Sequence, residues 1–514
     1  MWEFKNPYLS DHTSGEQPLA LLHGVRQKSQ PKPASQHLSE RETIHSTIGI
    51  RTTDQRGLHL SPPEASDMNK FTKACMTILI ASLVFPHDSA LAADSEAVAR
   101  ILIRNVNIWD GVSDQTAPGQ NVLIEGNLIR SIGSNPSADE GTTVIDGRGQ
   151  LLMPGIIDAH AHLALSAMPT EILDEDQGYL AAVSVKAAEI YLLRGWTTVR
   201  DIGGPSQGLA RAIDEGIVPG PRIYSSAMFI SQTSGHGDLR GLNDPHPNMG
   251  GQPNTIGQRY ALIADGPAEV KRAARESLRM GATAIKVMAG GGVSSEYDPI
   301  DTTQYSVAEL RAAVEAADEW NTYVAVHAYT DAAVSNALEA GVRVIEHGHL
   351  LSKDMLKRIK AEGAFLSSQS FGFVRKYIKP GQSGAAGKAA TIIDGADNLM
   401  QTARKLGIPV AFGTDSFGSI RAYQSGAAEF GYRLRWFTSL EILQQATGHN
   451  AKLLALTGPR NPYPDGPLGV ISEGAYADLL IVDGNPLDDV TILEDYEANI
   501  RLIMKDGRIY KNTL

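Results

Sequence analysis

Apolar and polar positions alternate with a period of two in "RILIRNVNIWDG" (from Arg100), "NVLIEGNLIRSIG" (from Asn121) and "TTVIDGRGQLLMPG" (from Thr142). The pairs Asp110-Gly111, Glu125-Gly126 and Asp146-Gly147 punctuate these runs as turns. The same texture returns at the other end in "ADLLIVDGNPL" and "IRLIMKDGRIYKN". Two strand-rich ends bracketing a long middle predict one small β-sandwich domain, built from residues 93–150 and 458–514.

The middle, residues 151–457, has a different rhythm. Short β-branched runs alternate with amphipathic stretches such as "PAEVKRAARESLRMG", "SVAELRAAVEAADEWN", "DAAVSNALEAG" and "NLMQTARKLG". The strand candidates are "GIIDAHAH", "TTVRDIG", "RIYSSA", "AIKVM", "YVAVHAY", "RVIEHG", "AFLSSQS" and "PVAFGTD". Eight strands with intervening helices predict an α/β architecture of the (β/α)8, or TIM-barrel, type. A doubly wound open sheet is the weaker alternative, because no Gly-rich dinucleotide fingerprint follows the first strand. "DLRGLNDPHPNMGGQPNTIG" and "FGFVRKYIKPGQSGAAGKAA" are expected as long Gly/Pro-rich loops over the barrel mouth, where side-chain preference is set.

Charge and cysteine content narrow the setting. The 514-residue chain is 42% hydrophobic and has a formal net charge of -12. With no sizeable basic cluster, it lacks the Lys/Arg stripe that nucleic-acid binding needs. The single cysteine, Cys75, lies in "MNKFTKACMTILIASLVFPHDSALAAD". Basic residues, a short apolar run and Ala90-Leu91-Ala92 predict a secretory signal peptide over 68–92, too short to be a permanent membrane anchor. Residues 1–67 are polar and aperiodic and read as an upstream extension of the frame, with Met68 as the natural start. A periplasmic or secreted mature protein without cysteine is the expectation, and it needs no disulfides.

Candidate chemistry gathers where the eight strands end. His160 and His162 close the first, Lys286 lies in the fourth, His327 and His347 end the fifth and sixth, and Asp415 ends the eighth. Barrel active sites form at that face, so five separate segments converge there, and coincidence on that scale predicts a metal site. In a strand, residues two apart point to the same side, so both imidazoles of the H-x-H pair can face one point. Neutral imidazoles suit zinc and similar divalent ions. A lysine amine is a useless ligand while charged, but burial favours its neutral form, which can take up carbon dioxide as a carbamate bridging two cations. The alternative for Lys286 is a buried ammonium paired with a carboxylate. Asp415 can hold and deprotonate a water made acidic by a metal; its bland alternative is a helix N-cap.

The segments "PGIIDAHAH", "GWTTVRDIGG", "AIKVMAGGGVSS", "VAVHAYT", "IEHGHLL", "FGTDS" and "EILQQATGHNAKLLAL", in that order, resemble the amidohydrolase superfamily. They are most similar to its prolidase-like dipeptidase and carboxypeptidase branch, which includes ochratoxin-hydrolysing amidohydrolases. The resemblance covers about Ala99 to Leu514. It implies two divalent ions, usually Zn2+: one held by His160, His162 and Asp415, the other by His327 and His347, with N6-carboxylated Lys286 bridging. It also implies that His236, in "SQTSGHGDLRG", contacts the substrate's terminal carboxylate and that Tyr329 polarises or orients the scissile amide. A loop hydrogen bond for His236 and a packed ring for Tyr329 stay open as alternatives. His349, Asp158 and Arg200 are expected near the site in supporting roles.

The activity so implied is hydrolysis of an amide next to a free carboxylate, in a dipeptide such as Xaa-Pro, an N-acyl amino acid or an ochratoxin A-like conjugate. Hydroxide held between the metals would attack, with Asp415 as the proton shuttle. The family also implies a homo-oligomer, up to an octamer. Two other readings compete: a cyclic-amide hydrolase of the hydantoinase or dihydroorotase type, and a periplasmic metal-binding protein without catalysis. "GWTTVRDIGG" and "SGHGD" favour the linear substrate over the cyclic one, and Asp415 favours an enzyme over a metal store, which needs no proton shuttle.

Overall fold

The structure, a computed structural model, describes residues 99–514 apart from 135, 137, 138, 170, 252–256 and 376–383. The expected upstream extension and signal peptide, with Cys75, lie outside the described residues.

The alternating N-terminal runs form β1 (Arg100–Ile108), β2 (Ala117–Glu125), β3 (Leu128–Gly133), β4 (Thr143–Asp146) and β5 (Leu151–Pro154). The parallel strands of the middle are β6 (Ile156–Ala161), β7 (Trp196–Asp201), β8 (Arg222–Ser225), β9 (Phe229–Ser231), β10 (Ala261–Ile263), β11 (Ile285–Met288), β12 (Val324–Ala328), β13 (Val344–His347), β14 (Phe365–Ser367) and β15 (Val410–Ala411). The C-terminal runs are β16 (Leu479–Val482), β17 (Ile500–Lys505) and β18 (Arg508–Asn512).

Strands from both ends share one mixed sheet, ordered β18-β17-β16-β5-β1-β2-β3, with β4 also on β1. The two ends meet where Leu152 on β5 pairs with Ile481 on β16. Buried residues of both ends, among them Ile103, Val122, Ile145, Leu479 and Leu502, form one hydrophobic cluster. The β17–β18 hairpin turns through Asp506 and Gly507 at φ of 56° and 69°. Two consecutive positive φ values match the right-handed twist of the strands, and the Asp-Gly pair tolerates them. The strand just after residue 150, β5, belongs to this sheet.

Each of the eight strand candidates of the middle is present, as β6, β7, β8 and β11 to β15. They lie in two parallel sheets, β6-β7-β8 and β10-β9-β11-β12-β13-β14-β15. All residues of β6, β7, β11, β12 and β13 are buried, as expected of parallel strands covered on both faces. Backbone hydrogen bonds tie the first sheet to the segments next to β15 and β11: Ala159 N to Phe412 O at 2.9 Å, and Thr283 N to Ser225 O at 2.7 Å. Between the strands, helices start and stop on local signals. Helix Val307–Glu319 opens on a capping box made by Ser306 and Glu309. Helix Asp331–Ala340 opens on Thr330 and ends at left-handed Gly341. Among the described residues no helix is long and apolar enough to cross a membrane.

Two differences from the sequence expectation bear on the site. Strands β9 and β10 are three residues each, too short to leave a periodic signature. The second expected loop is in part helical: residues from Gly384 belong to the 23-residue helix Gly384–Leu406. Four alanines, at 385, 386, 389 and 390, offset the helix cost of Gly384 and Gly387. Buried Ala389, Ile392, Ile393 and Ala396 give that stretch a packed face.

Candidate metal centre

Register brings the ends of β11, β12 and β13 level with one another. Met288 on β11 pairs with His327 on β12, His327 with Glu346 on β13, and Ala328 with His347. From the neighbouring sheet, β6 delivers His160, and His162 follows it directly. Asp415 arrives four residues beyond β15, and its backbone N–H donates to the carbonyl of His160 at 2.8 Å. A side chain at Gly413 would put its Cβ 2.7 Å from the Cβ of His160, so only glycine lets this segment pass so close. His347 and Asp415 both adopt positive φ, 72° and 54°. For residues other than glycine that conformation is uncommon and is held by its surroundings.

His160, His162 and Asp415 bring one donor atom each to a single point. The two Nε2 atoms are 3.2 Å apart, and Asp415 Oδ1 is 3.4 Å from that of His160 and 3.2 Å from that of His162. Ligands about 2.0–2.1 Å from a tetrahedral zinc ion stand roughly 3.3–3.4 Å from one another, so the spacing fits such an ion. The far side of each ring fixes the tautomer. His162 Nδ1 lies 2.9 Å from the carbonyl of Gly203, which can only accept, and His160 Nδ1 lies 2.8 Å from Glu346 Oε2. Both Nδ1–H groups are therefore donors, and in the neutral rings both Nε2 lone pairs point at the ion's position. Partners of this kind orient metal-ligating histidines and raise their basicity.

His327 and His347 extend the cluster. Their ring centroids are 4.5 Å apart, and His347 is 4.8 Å from His160. His327 Nε2 donates to the carbonyl of Gly291 at 3.1 Å, leaving Nδ1 as its lone pair. His347 Nδ1 donates to Gln369 Oε1 at 2.8 Å, leaving Nε2. Burial is the main cause that holds His162, His327 and His347 below the usual histidine pKa, so these rings are neutral and able to bind a cation. Burial acts the same way on His160, but Asp415 and Glu346 outweigh it and raise its pKa. Burial works to raise the Asp415 carboxyl, yet the charge of neighbouring His160 overrides it, and Asp415 sits well below the usual carboxylate range.

Lys286 is buried on β11, and burial lowers its pKa to about 8 against the opposing charges of Glu346 and Asp415. Both oxygens of Glu346 already accept a hydrogen bond from another residue. Arg200 Nη2 donates to Oε1 at 2.6 Å, and His160 holds Oε2. Burial would raise Glu346, but Arg200 and His160 prevail and keep it ionised. The relay Arg200–Glu346–His160 was not legible in the sequence, beyond a glutamate next to His347 in a buried strand. Gln369, the partner of His347, was hidden in the polar run Ser367-Ser368-Gln369-Ser370 that follows the apolar part of β14.

The other named residues surround this centre. His236 stacks on His327, with centroids 4.2 Å apart, and its Nδ1 is 2.7 Å from Ser295 Oγ. Tyr329 lies 4.9 Å from His327 and 5.2 Å from His347, ring to ring. His349 Nε2 donates to the carbonyl of Gln369 at 2.8 Å. Asp158 accepts from the backbone N–H groups of His160 and Thr414, tying β6 to the segment that carries Asp415.

Comparison with known proteins identifies the family. The sequence profile of the amidohydrolase family matches residues 151–510. The chain is 30% identical over 416 residues to an ochratoxinase from Aspergillus niger, covering 76% of this chain and 82% of that protein. A prolidase crystallised with N-methylphosphonate-L-proline superposes with a TM-score of 0.73 at 32% identity, over 81% of this chain and all of that one. A Xaa-Pro dipeptidase with methionine bound in its active site gives a TM-score of 0.70 at 28% identity, over 80% of this chain and 100% of the other.

Proposed function

This chain belongs to the amidohydrolase family and is a hydrolase acting on amide bonds, and from that premise we propose that the amide it cleaves stands next to a free carboxylate. The substrate class is a dipeptide such as Xaa-Pro, an N-acyl amino acid or an ochratoxin A-like conjugate. The single observation that carries this reading is His236, stacked 4.2 Å from His327 and therefore beside the candidate metal centre. Ser295 engages Nδ1 of His236, which leaves Nε2 as the ring atom that would meet a substrate carboxylate. The ochratoxinase, the prolidase and the Xaa-Pro dipeptidase support the same class.

Two divalent cations, most simply Zn2+, would be held by His160, His162 and Asp415 and by His327 and His347, with carboxylated Lys286 between them. When bound, they supply Lewis acidity that activates a water near neutral pH and polarises the scissile carbonyl. The chain's own residues do the rest. Asp415 takes the proton of the attacking water on a carboxylate oxygen and returns it to the leaving nitrogen as the C–N bond breaks. Tyr329, buried beside both His327 and His347, orients the scissile carbonyl through its hydroxyl. Arg200 and Glu346 keep the His160 ring in one tautomer. The two parallel sheets, tied through the segments next to β15 and β11 at Ala159–Phe412 and at Thr283–Ser225, are read as one closed (β/α)8 barrel, with the terminal sheet folded as a small sandwich.

The test is turnover of N-acyl amino acids and Xaa-Pro dipeptides, their C-terminal carboxamides and cyclic imides by the metal-replete enzyme. The reading expects the free acids to be preferred and the preference to vanish in His236→Ala. Equal turnover of acid and carboxamide by the wild type, or faster turnover of cyclic imides, overturns it.

A further inference from the structure

The stretch from Gly290 to Asp298, which follows β11, touches both histidines at the mouth of the site. Its Gly291 carbonyl accepts from His327, and its Ser295 hydroxyl meets Nδ1 of His236. A Cβ at Gly292 would fall 1.9 Å from the His236 ring, so backbone and imidazole are in direct contact there. Gly291 has its own anchor, an N–H donated to the carbonyl of Thr302 at 3.2 Å. The rest of the loop is held differently. Asp298, 2% exposed, accepts from Gly292 N at 2.8 Å and Gln304 Nε2 at 3.2 Å through one oxygen, while its other oxygen has no hydrogen-bond partner.

Into this loop the helix Gly384–Leu406 sends Lys388. Its Nζ donates to the carbonyls of Gly292 at 3.0 Å, Ser295 at 2.9 Å and Asp298 at 2.5 Å, and stands 3.7 Å from the unpartnered Asp298 oxygen. An ammonium has three N–H bonds, and here all three are used on backbone. Lys388 therefore has no donor left for a substrate.

We propose that Lys388 is a positioning residue: it clamps the Gly292–Asp298 loop so that Ser295 and Gly292 hold His236 where it meets the substrate's carboxylate. The proposal rests on the carboxylate-binding reading of His236 given above. Three charge-assisted hydrogen bonds to one short loop fix it more firmly than neutral ones would. Because Gly291 is tied independently to Thr302, loss of the clamp frees His236 and leaves the orientation of His327 in place.

The experiment compares wild type, Lys388→Met, Lys388→Arg and His236→Ala in the full chain. Amide hydrogen exchange is followed over residues 290–298, and kinetics are measured on the best substrate from a panel of N-acetyl amino acids and Xaa-Pro dipeptides and on its carboxamide. In Lys388→Met, exchange over the loop should accelerate, metal content should hold, and KM for the acid should rise about tenfold, the worth of roughly one charge-assisted hydrogen bond. The carboxamide KM and kcat should stay within about threefold, since binding made equally in ground and transition states is what is lost. Lys388→Arg keeps the charge without the three-point seat and should fall between. Unchanged exchange in Lys388→Met, or faster exchange with an unchanged KM ratio, overturns the proposal. Should Lys388→Met fail to fold, wild-type exchange and KM in Lys388→Arg overturn it instead. A His236→Ala enzyme that still prefers the acid defeats the carboxylate reading, while loop exchange in the Lys388 variants still judges the clamp.

Discussion

The Nε2 atoms of His160 and His162 are 3.2 Å apart, with the Nδ1 of each ring hydrogen-bonded to Glu346 and to Gly203. In the neutral rings two lone pairs face each other and an Asp415 oxygen, an arrangement that repels itself unless a positive charge sits among them. A proton on His160 is one relief, and the raised pKa of that ring reflects it. A divalent cation is the stronger one, and it displaces the proton.

Chelation should therefore lower stability, and Zn2+ should restore it. An ion at a thousandfold excess over its Kd stabilises the folded state by about 4 kcal/mol. The measurement is the urea midpoint of the chelated protein with and without added Zn2+, with metal content read in parallel. Identical midpoints would remove the His160–His162–Asp415 site from consideration.

Lys286→Ala should lose metal and activity together, because the amine that would form the bridging carbamate is gone. Short carboxylic acids such as propionate should partly restore both by supplying two oxygens in the vacated space. Full metal content with normal turnover in Lys286→Ala would end the bridging role.

Much of this was legible in the chain because it is local. The H-x-H spacing puts His160 and His162 on one side of an extended segment, and the structure brings their Nε2 atoms together. Short strands rich in β-branched and aliphatic residues, bounded by turns and amphipathic helices, announce themselves. What was not legible is what depends on distant partners. Lys388 reads as one lysine in a Gly/Ala-rich stretch until the fold sets it against carbonyls about ninety residues away in sequence. Glu346 gains its meaning from Arg200, 146 positions earlier. The helix around Lys388 was masked by its glycines, whose local preference is overridden by the packing of Ile392 and Ala396.

Acid should weaken the fold in part through His449. Its ring packs 5.6 Å from Phe365, its Nε2 is buried without a partner, and burial, helped by Lys452 and Arg433, lowers its pKa from 6.5 to about 4. Between those values the unfolded chain binds the proton and the folded chain does not, so stability falls as pH drops from about 6.5 towards 4. His449→Phe should remove a contribution on the order of 1 kcal/mol to that loss. Urea midpoints at pH 7.5 and pH 5 should thus lie closer together in the variant than in the wild type. An equal or wider gap in the variant would show that His449 has the same pKa in the folded and the unfolded chain.

The sharpest prediction concerns Asp415, which stands both as a ligand candidate and as the proposed proton carrier. Asn is nearly isosteric and keeps one oxygen 3.2–3.4 Å from the imidazole nitrogens, where Asp415 Oδ1 now sits. It can still complete the donor triangle but cannot carry a proton at neutral pH. The left-handed backbone at this position, φ 54°, is one that Asn tolerates, so the variant should fold. Positioned acid–base groups are worth about 10²–10⁴ in rate. Asp415→Asn should therefore retain most of its metal while kcat falls by that factor and KM changes little. Rate and metal content have to be measured on the same preparation, because loss of both would assign Asp415 to holding the ion alone. A variant that keeps its metal and turns over at the wild-type rate would show that the proton travels by another route, and Tyr329, 4.9 Å from His327, would be the next group to test.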